Sequence, residues 1–432
     1  MIQKNIPNRR IKSKLEQKVS KNKNEEIHKN INSFMIALIC SGSLIALIFN
    51  ALGIISEGLY PIISISALIT SVISSFILTK FTHFRINIKN LFIFIFILTL
   101  FFLSYLRFDH YQYLNEYFIK FLFFGGVIFL MLSFPISFKK VLTGISSLSL
   151  LILLNPITII QNLLVTGNSG YTALTMGTSY AILPSVIASS IHYLYYRKNS
   201  GLLVRLSYFL NFFLLILLIF QGTRGVLVAI LMLAYAVVLS GFNNRSNKIL
   251  RRTFGGISLA AFLIFLFNIE KVIITIYTYL HTLGIEVYAL NKSVSKIQAE
   301  GILNGRDIIY SNALNLLLDN PIVGSGISSY AYNYSGTYPH NLILHIFIEF
   351  GFLLAIPFII LLIISLLVTF SPLTKDENHN EIKIFIVFCF ISSIPRLMFS
   401  SYLWQDQIFW LMMFTITSIK MRNLILLKNS KR

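Results

Sequence analysis

Cysteine is almost missing from the 432 residues, with only Cys40 and Cys389 present. Two thiols inside apolar runs make neither a disulfide framework nor a metal cluster, and both read as small packing groups. Strand-like alternation of apolar and polar residues is also missing, which excludes a barrel and leaves helices to satisfy the backbone in an apolar medium. No His, Cys and Glu pattern has zinc spacing. His345 and Glu349 stand four apart, but His340 precedes the pair by five, so no metal and no cofactor is expected. Residues 33–205 and 206–421 share nothing beyond hydrophobicity, which weighs against the internal repeats of a transporter. The first residues lack the short basic start and cleavage site of a signal peptide.

What is present is apolar. A hydrophobic content of 56 % and a mean hydropathy of +0.74 exclude a soluble globular chain. Apolar stretches run over about 33–56, 60–79, 91–106, 118–137, 141–163, 177–196, 206–221, 225–241, 253–278, 342–370, 383–401 and 407–421. Most approach the roughly 20 residues that cross a bilayer as helix. The expected fold is an all-α polytopic membrane protein with about 12 transmembrane helices. If both termini are cytoplasmic, 28 of the 36 Lys and Arg fall in cytoplasmic segments, and the positive-inside rule selects that orientation. The net charge of +20 is thereby assigned to topology and to membrane lipids, not to nucleic acid. Residues 1–32 read as a basic disordered tail and 423–432 as a second basic tail, flanking a membrane domain over 33–422.

The rhythm breaks once. Residues 279–341, between the ninth and tenth spans, form a large outer loop far beyond ordinary connection length. Within it, Asn304 is the expected cap of an amphipathic surface helix that has Arg306 in its first turn and stops at Asn320-Pro321. Gly324-Ser325-Gly326 reads as a flexible turn. Tyr330, Tyr332, Tyr334 and Tyr338 suit either a headgroup belt or a sugar-stacking surface. At the same depth lie Arg224, in the turn Gln221–Gly225, and Arg396, after Pro395 inside a span. An intramembrane Arg faces a cavity or pairs internally, here with Glu349 as the expected carboxylate. Three guanidinium groups near one leaflet suit a phosphorylated or carboxylated ligand, and His340 beside them is a candidate proton acceptor.

Thr223-Arg224-Gly225, Gly305-Arg306, the run Asn320-Pro321-Ile322-Val323-Gly324-Ser325-Gly326, His340-Asn341-Leu342 and Glu349-Phe350-Gly351 occur in that order. Together they resemble the O-antigen ligase and O-antigen polymerase superfamily over about 224–355, with Thr223 where that family often has Ser. The resemblance implies a metal-independent membrane glycosyltransferase acting on the periplasmic side of the bacterial plasma membrane. Its donor would be an undecaprenyl-diphosphate-linked oligosaccharide and its acceptor a glycan or lipid A-core. Arg224 and Arg306 would hold the diphosphate and His340 would activate the acceptor hydroxyl. Arg396, Asn341 and Tyr338 are further expected substrate-binding residues, and a chain-length regulator is an expected partner. Polymerase and ligase share these residues and are not separated. A polytopic transporter or flippase of lipid-linked glycans is the alternative.

Overall fold

The computed structural model describes residues 25–54, 84–107, 111–164, 172–221, 223–241, 269–284, 306–371 and 376–417, with a few positions between them. No strand occurs among the described residues. Among the described residues, five helices are long and apolar enough to cross a membrane: α3 (Ile88–Arg107), α4 (Tyr111–Met131), α8 (Leu202–Gln221, apolar through Ile219), α13 (Leu342–Thr369) and α14 (Glu377–Phe399). The pair α1 (Glu25–Cys40) and α2 (Gly42–Ala51), bent by 61°, is apolar enough to be a sixth if the two helices form one broken span. On α8, Phe209 and Phe212 are 80 % and 64 % exposed. Aromatic surface of that size is expelled by water and accepted by lipid, so the chain is a membrane protein.

Further helices before the loop are α5 (Phe138–Leu148), α6 (Pro156–Leu164), α7 (Thr172–Tyr196) and α9 (Arg224–Gly241). The expected span 33–56 is the bent α1–α2 pair, not a straight helix. The expected span 141–163 is also broken. It tightens to a 3-10 turn over Ser149–Leu154 and stops at Asn155, whose backbone leaves the helical region and whose amide donates to the Ala51 carbonyl at 2.7 Å. The stretches 60–79 and 253–278 lie largely outside the described residues, as do both tails beyond residues 25 and 417.

Helix α10 (Ile269–Thr282) carries the end of the expected stretch 253–278 into the loop, which contributes α11 (Arg306–Asp319) and the single turn α12 (Ser329–Asn333). Arg306 indeed stands in the first turn of α11, and the helix ends before Asn320-Pro321; Asn304 and Gly305 lie outside the described residues. Last comes α15 (Gln407–Ile416), every residue of which is buried. The expected span over 407–421 is, from Gln407 to Ile416, a helix buried in the bundle. Its Trp410, Phe409 and Phe414 pack with Trp404, Phe121 and Phe101.

One local feature sets the geometry of the loop end. Helix α13 is interrupted at Gly351, which has φ 62° and ψ −175°. A broken helix leaves carbonyls and amides without partners, a costly state in an apolar surround. The segment 321–326 supplies them. Ser325 N donates to Ile348 O at 2.7 Å and Gly326 N to Glu349 O at 3.1 Å, while Phe352 N and Leu353 N donate to Pro321 O and Ile322 O at 2.7 and 2.9 Å. Gly324-Ser325-Gly326 is thus locked, not flexible. A Cβ on Gly324 would stand 2.5 Å from the Glu349 carbonyl oxygen, and one on Gly351 would stand 2.5 Å from the Ile322 carbonyl carbon. Both positions have positive φ, so glycine is required twice over at this crossing.

Candidate active site

Glu349, 2 % exposed, is the centre from which the loop end is held. Its Oε1 accepts from the Ser328 amide at 2.9 Å and lies 3.0 Å from His345 Nε2; its Oε2 accepts from Trp404 Nε1 at 3.0 Å. The i, i+4 spacing on α13 brings His345 to the carboxyl group, and the locked glycine segment brings Ser328. From the other side, Arg107 at the end of α3 donates to Gly324 O at 3.0 Å and to Asn320 Oδ1 at 2.7 Å. The same helix end therefore holds the loop that fills the break.

Beside this saturated cluster lies a less saturated one. Arg306 donates from Nη2 to the Phe399 carbonyl at 2.7 Å, at the end of α14, and its guanidinium lies 5.8 Å from the Phe399 ring centroid. No carboxylate pairs with Arg306 among the described residues. Arg224 opens α9 and lies within electrostatic range of Arg306. Gly225 after it is forced by packing, since a Cβ there would run into the Tyr180 hydroxyl and stand 3.2 Å from the Pro395 carbonyl oxygen. Tyr180 in turn bonds Ser400 Oγ at 2.9 Å. The backbone contact of α9 with α7 and α14 thus delivers the start of α9 to the same place as Arg306.

His340 sits at φ 51°, immediately before α13. Its ring lies 4.2 Å from that of Tyr338, whose hydroxyl donates to Ser400 O at 2.8 Å. His340 Nδ1 is buried and makes no hydrogen bond among the described residues. Burial first, and the Arg306 charge second, push the imidazole pKa down from 6.5 to about 4; both disfavour adding a positive charge. Burial also pushes the Tyr338 phenol up to about 12. At neutral pH the histidine is therefore a neutral base and Tyr338 a neutral donor.

The remaining expected site residues have defined roles. Asn341 caps α13, its Oδ1 accepting from Leu344 N at 3.1 Å, as its position before an apolar helix favours. Arg396 does not pair with Glu349. Its guanidinium donates through Nε (3.0 Å) and Nη2 to Oδ2 of Asp406, a fully buried carboxylate whose Oδ1 also caps α15 through Phe409 N at 2.9 Å. The pairing with Glu349 fails because that carboxyl group is already occupied by Ser328, His345 and Trp404.

Sequence reasoning missed, among others, Arg107, Lys120 and Asp406 at this end. A signal existed for each. Arg107 and Lys120 are two of the eight cations outside the basic segments, and Asp406 stands directly before an apolar run as a helix cap does. No group of three or more His, Cys, Asp or Glu able to hold a metal occurs among the described residues.

Residues 209–359 match the family model described as O-Antigen ligase. The matched segment spans α9, the described part of the loop and the first part of α13 with its break, so it contains Arg224, Arg306, His340 and Glu349. No curated protein matches the chain.

Proposed function

We propose, for a chain whose residues 209–359 match the O-Antigen ligase family model, that the loop end carries out glycosyl transfer from an undecaprenyl-diphosphate-linked glycan at the outer face of the bacterial inner membrane. The topology in this proposal has about twelve crossings with both termini cytoplasmic, which puts residues 279–341 outside. The observation that carries it is the Arg306–His340 neighbourhood: a cation with no carboxylate partner among the described residues beside a histidine held neutral.

In this reading Arg306 and Arg224 bind the diphosphate, and their attraction grows as charge accumulates on the leaving oxygen. His340 takes the proton of an acceptor hydroxyl as that oxygen attacks the anomeric carbon. The carbon–oxygen bond to the phosphate breaks, the electron pair leaves with the lipid diphosphate, and the proton on His340 passes to water. Arg396 is fixed by Asp406, so it contributes a positioned cation whose charge is largely compensated. Tyr338 orients the imidazole through ring contact. The guanidinium groups take the place of a divalent cation, and turnover is expected to persist in EDTA.

The test uses purified protein, a labelled undecaprenyl-diphosphate glycan and EDTA. Release of lipid diphosphate coupled to longer glycans supports a polymerase, and release only with lipid A-core supports a ligase. Absence of release with both acceptors, together with glycan movement across vesicles, would replace the enzyme with a flippase.

A further inference from the structure

Helix α4 lies outside the family match, yet it carries Lys120 at the outer end of its apolar stretch 118–137, the level at which the proposed site lies. Lys120 pairs with Glu116 one turn earlier and donates to the Tyr402 phenol oxygen. The side chains of Lys120 and Glu116 are 29 % and 49 % exposed, so the cluster is open to a ligand. Tyr402 stacks on Tyr117 at 5.0 Å and lies 5.1 Å from the Tyr338 ring, which touches His340. Two ring contacts therefore lead from the Lys120 cluster to the imidazole.

The chemistry of this wall differs from that of the guanidinium groups. Lys and Glu cancel, so it offers no net attraction to a diphosphate, and Glu116 would repel one. It does offer a donor and an acceptor side by side, above the buried Tyr402 ring. That combination fits a neutral sugar, whose hydroxyls both donate and accept.

We infer that Glu116, Lys120 and Tyr402 form the acceptor-sugar subsite, on the α4 side of Tyr338, while the donor diphosphate is held from α9, α11 and α14. This rests on the transferase reading above and adds to it which side each substrate occupies. Lys120 removes the repulsion between Glu116 and the phenol oxygen and lines up both for sugar hydroxyls.

The experiment measures Lys120→Met and Tyr402→Phe in nanodiscs, in two separate readouts. The first is the KM for lipid-free oligosaccharide, released from the native donor, as acceptor. The second is binding of undecaprenyl diphosphate without glycan. The expected result is an acceptor KM raised by about tenfold or more, the loss of a charge-assisted hydrogen bond, with undecaprenyl diphosphate affinity kept. Tyr402→Phe removes one oxygen and keeps the ring stack, so it carries the test if Lys120→Met does not accumulate. An unchanged acceptor KM, or equal weakening of undecaprenyl diphosphate, would overturn the assignment. Failure of the wild-type protein to bind undecaprenyl diphosphate at all would overturn the transferase reading and the subsite with it.

Discussion

Glu349 and Arg306 are both charged-type side chains at the same end of one helix bundle, and they are treated in opposite ways. Glu349 is buried and meets three partners, with donors from the glycine segment, from Trp404 and a contact to His345. Arg306 meets a carbonyl and a ring, and the histidine near it has a buried nitrogen with no hydrogen bond among the described residues. A cluster with its hydrogen bonds filled can hold shape but has nothing left for a substrate. The Arg306–His340 rim has capacity left over, which is where a ligand gains most. Glu349 and its glycine crossing are the frame, and the rim is where we place the chemistry.

The sharpest way to break this division is to remove the rim. Arg306→Ala and His340→Ala are each expected to lower turnover on the order of 10²–10³-fold with membrane insertion and thermal stability kept, as measured by glycan transfer and by melting of the purified protein. A variant that melts early would move its residue from rim to frame.

The frame should fail in the other manner. Gly351→Ala puts a methyl group against the Ile322 backbone at a positive φ, and is expected to destabilise by about 2 kcal/mol or more. Thermal unfolding checks this, and loss of turnover with an unchanged melting temperature would contradict it. Arg107→Ala is the milder test of the same frame. It removes two charge-assisted hydrogen bonds to the loop and should lower stability by roughly 1–2 kcal/mol.

The smallest expected effect concerns pH. With the His340 pKa lowered to about 4, the base form persists as pH falls, and the acid limb of kcat/KM should lie near pH 4 instead of near 6.5. Arg306→Ala removes the second cause of that lowering, so in residual activity the limb should move upward. A wild-type limb near 6.5 would show that burial does not control the histidine.

Much of the helix plan was legible because apolar runs of membrane length leave little choice; α3, α8 and α13 lie close to where those runs fall. The order of Arg224, Arg306, His340 and Glu349 was legible as a motif. Their division of labour was not. Nothing in Glu349-Phe350-Gly351 announces a helix break, because Gly inside an apolar run is ordinary in membrane helices. The partner that fills the break lies some 25 residues earlier in the chain. Pairing Arg396 with Glu349 followed from counting nearby carboxylates, and only three-dimensional packing shows that Asp406 is the nearer one. The break at Asn155 had a signal in Asn155-Pro156, the same pair that follows α11 at Asn320-Pro321, and the α1–α2 bend has one in Ser41-Gly42.

The central claim is that the Arg306–His340 rim binds the diphosphate of a lipid-linked glycan. Titrating undecaprenyl diphosphate into wild-type protein and Arg306→Ala, both in nanodiscs with EDTA, tests it most directly. The account predicts saturable binding to the wild type, weakened by about tenfold or more in the variant, as the loss of a charge-assisted contact requires, at equal melting temperature. Equal affinity in the two proteins would contradict it.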